Sequence, residues 1–104
     1  MEILGNIKPQ NVMKYFEGIC NIPHGSGNTD KISDYCIKTA KNLGLYAEKD
    51  GMNNLIIKKS GSKGFENHPT VILQAHLDMV CEKTPECEID FEKDGIPIMV
   101  EGDY

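Results

Sequence analysis

The residues best suited to chemistry in this chain are His76 and Asp78, within Gln74-Ala75-His76-Leu77-Asp78-Met79-Val80. They stand two apart, so extended backbone points both side chains to one side. Imidazole is a common zinc ligand, and a neighbouring carboxylate can set its tautomer and orient its ring. An H-x-D unit therefore suits a metal site. Taken alone it also describes a simple loop ion pair. Its position argues for the metal, because it follows the most strand-like run of the chain, Thr70 to Ala75. In open α/β sheets, ligands gather beyond the C-terminal ends of strands.

Other candidates are weaker. His24, in Pro23-His24-Gly25-Ser26, reads as a turn residue, and His68 before Pro69 as exposed loop. Gly25-Ser26-Gly27 lacks the G-x-S-x-G form of a nucleophile elbow. The helix that follows is preceded by neither a G-x-x-x-x-G-K-[ST] nor a G-x-G-x-x-G loop. Glu86, Glu88, Asp90 and Glu92 alternate, which suggests a solvated acidic strand edge.

The elements that must position His76 and Asp78 can be read from periodicity. A first helix is expected from about Pro9 to Cys20. Proline suits a helix start, and Val12, Met13, Phe16, Ile19 and Cys20 form one apolar stripe. A second is expected from about Thr29 to Leu43, burying Ile32, Tyr35, Cys36, Ala40 and Leu43, with Gly44 as its left-handed cap. Leu45 to Lys49 and Asn54 to Lys59 read as a hairpin around Asp50-Gly51. The Val71-Ile72-Leu73 run predicts an interior strand buried on both faces, and Ile96 to Val100 predicts a further strand. The fold class is α/β, two N-terminal helices with a mixed sheet.

Composition narrows the function classes. Among 104 residues there are 16 acidic and 11 basic ones, a net charge of -5, and Lys58-Lys59 is the longest basic run. That balance disfavours nucleic acid as a partner. No apolar run approaches the roughly 20 residues of a membrane span, so no membrane association is expected. The start shows no secretory signal, which predicts a cytoplasmic location. Cys20, Cys36, Cys81 and Cys87 form no C-x-x-C pair and are expected as free thiols.

Several segments together resemble one family. Val71 to Val80 resembles the first metal motif of aminoacyl-histidine (Xaa-His, cytosolic non-specific) dipeptidases, co-catalytic zinc peptidases. Phe16 to His24 resembles their opening helix and Ile-Pro-His turn. Gly51-Met52-Asn53-Asn54-Leu55-Ile56-Ile57 resembles their hairpin, and Asp90-Phe91 with Gly95 to Tyr104 the approach to a second metal motif. The order holds from about residue 10 onward.

The resemblance implies that His76 ligates zinc and that Asp78 is the active-site aspartate supporting it. It implies two Zn2+ ions in the complete enzyme, a dipeptide substrate and hydrolysis by a metal-activated water. It places the bridging aspartate, the glutamate base and the remaining ligands beyond Tyr104. Residues 1–104 are accordingly expected to be the N-terminal part of a catalytic domain, a partial zinc-peptidase domain inactive by itself. Two alternatives stand beside this: a folded non-catalytic fragment, and an interaction module that dimerises through an open sheet edge.

Overall fold

The computed structural model describes residues 2–103. Its elements are α1 (Gln10–Cys20), α2 (Asp30–Asn42), β1 (Tyr46–Lys49) and β2 (Leu55–Lys58). This is the α/β class expected. The sheet is a two-stranded antiparallel pair. The chain forms two compact units: residues up to Ile32 together with those from Asp78 onward, and Ser33 to Leu77.

In the first unit, α1 begins after Pro9, whose carbonyl accepts the Met13 N–H at 3.1 Å. Proline's ring sets φ near the helical value, and its missing N–H costs nothing at this end. The apolar stripe expected on α1 is largely uncovered: Val12, Phe16 and Ile19 are exposed, while Cys20 is buried. Few residues pack over it, as befits a small chain with little surface to spare for covering. The buried acid on this helix is Glu17, 5% exposed. Its Oε1 and Oε2 accept the backbone N–H groups of Ile3, at 2.6 Å, and Leu4, at 3.0 Å. A buried carboxylate needs such partners, and these two donors, Ile3 first, hold its pKa below the usual value.

The far end of the chain returns to this helix. The Ile96 N–H donates to the Cys20 carbonyl at 2.6 Å. The strand expected over Ile96 to Val100 does not form. Pro97 has no N–H to carry a ladder onward from Ile96. The alternating acids are likewise not a strand edge. Asp90 instead closes a turn, its Oδ1 accepting the Glu92 N–H at 3.0 Å and its carbonyl the Asp94 N–H at 2.7 Å.

In the second unit, α2 supplies a good inner face. Ile32, at the unit boundary, is 1% exposed, Ala40 is buried, and Tyr35 and Cys36 are half-buried; Leu43 is exposed. The helix ends in a Schellman motif. Leu45 N–H donates to Ala40 O at 2.9 Å, and Gly44 N–H to Lys41 O at 3.0 Å. Gly44 takes φ +75°, as that motif demands.

The hairpin pairs Tyr46 with Lys58, Ala47 with Ile57, Glu48 with Ile56 and Lys49 with Leu55. Its loop is organised by Asp50. The Oδ1 accepts from Met52 N–H at 2.8 Å and Asn54 N–H at 3.0 Å, and Oδ2 from the Asn54 side chain at 3.0 Å. The left-handed residue is Asn53, φ 66°, rather than Gly51. Asparagine tolerates that conformation better than most residues. The buried Ser33 hydroxyl donates to the Asn53 carbonyl at 3.3 Å, tying α2 to this loop.

The largest departure from expectation concerns residues 70–75. They belong to no strand, and Val71, Ile72 and Leu73 are 81, 85 and 91% exposed. Burial on both faces requires strands on either side and helices above and below. Among the described residues, β1 and β2 are the only strands, and they pair with each other.

Candidate active site

The segment carrying Asp78 is held by the turn after α1. Met79 N–H donates to the His24 carbonyl at 3.0 Å, and Ser26 N–H donates to the Met79 carbonyl at 3.1 Å. Together they make a parallel bridge between Gly25 and Met79. The approach is close enough that a Cβ on Gly25 would collide with the Cys81 sulfur. A larger residue there would oblige the exposed Cys81 side chain to turn aside.

Asp78 is half-buried, and the Ser26 hydroxyl donates to its Oδ2 at 2.6 Å. A hydroxyl-to-carboxylate bond this short is charge-assisted and among the stronger side-chain hydrogen bonds. His76 lies just across the unit boundary, in the second unit, and is exposed.

His24 has the turn role expected of it. Its Nδ1 lies 2.6 Å from the Ile22 carbonyl, which can only accept, so Nδ1 carries the proton. The ring is thereby fixed within the turn whose backbone grips Met79. His68 is exposed in the 60–70 loop, with its ring 4.9 Å from that of Phe65.

Ser26 and Gly25 escaped the reading from residue spacing. Gly25-Ser26-Gly27 matched no catalytic motif, and Ser26 lies 52 residues from Asp78 in the chain. The signal that pointed to this region was the Ile-Pro-His turn, which marks the segment but not its partner.

Imidazole and carboxylate are the donor types of a zinc-ligating histidine and its supporting acid. His76 is exposed, and Asp78 is anchored by Ser26. Among the described residues no three His, Cys, Asp or Glu side chains gather as a metal-holding group.

Comparison with known proteins shows a resemblance to dipeptidases in both sequence and structure. In sequence it is 38% identical, over all 104 residues, to the cytosol non-specific dipeptidase of Escherichia coli (strain K12), of which it spans 21%. In structure it matches the crystal structure of aminoacylhistidine dipeptidase from Vibrio alginolyticus with a TM-score of 0.87 and 33% identity. That match covers 95% of this chain and 20% of the other. The chain thus spans about a fifth of the length of these relatives. No protein-family model matches it.

Proposed function

We propose that this chain is part of the catalytic domain of a cytoplasmic, zinc-dependent dipeptidase acting on dipeptides of the Xaa-His type. The observation that carries the reading is the 38% identity, along the entire chain, to a dipeptidase. His76 is the zinc ligand, and Asp78 orients it. A bound zinc supplies Lewis acidity to the peptide carbonyl and to the attacking water. The chain's own contribution is to present the His76 imidazole and to hold the Asp78 carboxylate against Ser26. A catalytic zinc usually takes three protein ligands, so these 104 residues alone are expected to bind zinc weakly and to leave dipeptides intact.

Zinc titration by calorimetry tests the assignment: binding should vanish in His76→Ala, and binding that survives the substitution overturns the role given to His76. Zinc-dependent turnover of a Xaa-His dipeptide by the pure chain would overturn the expectation of inactivity.

A second reading is favoured by the exposure of Val71, Ile72 and Leu73. An unpaired apolar run invites strand pairing, and here the partner is a second copy of the chain, giving a homodimer. Size-exclusion chromatography separates the readings, since a strict monomer at high concentration argues against pairing. No helix among the described residues is long and apolar enough to cross a membrane.

A further inference from the structure

We propose that Ser26 is a positioning residue of the candidate site, its hydroxyl fixing the Asp78 carboxylate in the orientation from which it serves His76. This rests on the roles given to His76 and Asp78 above and adds a third residue, from a distant part of the chain, to them.

Two observations converge on Ser26. Its hydroxyl has one proton and two acceptors in view: Asp78 Oδ2 at 2.6 Å and the Met79 carbonyl at 3.5 Å. The shorter, charge-assisted bond takes the proton. The Ser26 backbone is itself clamped, because its N–H donates to the Met79 carbonyl at 3.1 Å while His24 accepts from Met79 N–H at 3.0 Å. Serine therefore approaches the carboxylate from a fixed base and not from a swinging loop.

A carboxylate on a single χ1–χ2 arm rotates freely in water. With Oδ2 committed to Ser26, rotation about χ2 is restricted, and the carboxylate keeps one face toward its task. Groups that orient a ligand's supporting acid typically change metal affinity by about 10-fold or more when removed.

The test uses the 104-residue chain with Ser26→Ala, Ser26→Thr, Asp78→Asn and His76→Ala. Nitrogen-15 NMR of the His76 ring, in metal-free protein, reads its tautomer balance. Calorimetry with zinc ion alone reads affinity. Amide protection at Ser26 and Met79 reports whether the bridge persists.

Ser26→Ala should shift the His76 tautomer balance in the direction that Asp78→Asn does and weaken zinc binding by about 10-fold. The bridge amides should stay protected, and Ser26→Thr, which keeps the hydroxyl, should behave as the parent. If Asp78→Asn moves the tautomer balance and Ser26→Ala does not, the Ser26 role is overturned while the His76–Asp78 reading stands. If neither moves it, the Asp78 role fails and takes the Ser26 role with it. If Ser26→Ala abolishes the bridge protection and Thr does not restore the parent behaviour, Ser26 is a structural staple and the proposal is overturned.

Discussion

Two carboxylates and two thiols show how single residues in this chain are tuned by their surroundings. Glu17 is held below its ordinary pKa by the Ile3 and Leu4 N–H groups. Asp50 is lowered chiefly by the Asn54 side chain, then by the Asn54 and Met52 N–H groups. In each case the folded pKa lies below the unfolded one. The stability each group contributes is then fully present above the unfolded value and is lost as pH falls through the folded one. Denaturant midpoints should therefore be flat near neutrality and fall from about pH 4.5, the ordinary Glu value, downward. Glu17→Gln should lower the midpoint at pH 7 more than at pH 3; an equal loss at both would show that the charge plays no part. The thiols should differ in reactivity. Burial pushes the pKa of Cys20 and Cys36 up, with the Glu17 charge adding to it at Cys20, whereas Cys81 is exposed. Since the thiolate is the nucleophile, maleimide should label Cys81 first and Cys20 and Cys36 slowly. Mass spectrometry of a labelling time course reads the order directly.

The elements depend on a few positions where backbone and packing are most constrained. Gly44 closes α2 with φ +75° and two cap hydrogen bonds. Gly44→Ala forces a Cβ into the left-handed region and should cost about 1 kcal/mol of stability, read by urea unfolding. Ile32 is the largest apolar side chain fully buried on α2. Ile32→Ala should cost about 2–4 kcal/mol, a loss large enough to threaten a small domain. Gly44 and the inner face of α2 were legible in advance, because helical periodicity and a terminal glycine are local signals. The stripe on α1 was legible as a stripe, yet its exposure was not, since burial depends on what else the chain can lay across it. The hairpin was readable from Asp50-Gly51. The left-handed residue fell instead on Asn53, because the Asp50 carboxylate gathers both Met52 and Asn54 and draws the loop out to Asn53.

At the scale of the whole molecule, the exposed run from Val71 to Leu73 is the candidate site for association. Contiguous apolar surface on a soluble chain tends to be covered by a partner or to drive association. Light scattering of the purified chain should rise with concentration, and Ile72→Lys should suppress the rise by placing a charge in the run. Scattering that is independent of concentration in the parent would remove this run as an association site. The resemblance to dipeptidases extends over the full chain while reaching only a fifth of the relatives' length. A run patterned as an interior strand lies open here because β1 and β2 pair with each other and neither takes it as a neighbour.

The amino-acid sequence by itself determined the α/β class, both helices, the hairpin, the likeness to dipeptidases and the candidacy of His76 and Asp78. These rest on local periodicity, turn chemistry and motif order, all of which act over a few residues. Only the tertiary structure decided that Ser26 reaches Asp78, that the His24 turn grips Met79, and that residues 70–75 stay uncovered. Such contacts join residues more than 50 positions apart, or depend on which elements the folded chain lays beside a given run. No local pattern specifies which distant hydroxyl will meet a carboxylate, because that choice is made by the path of the whole backbone.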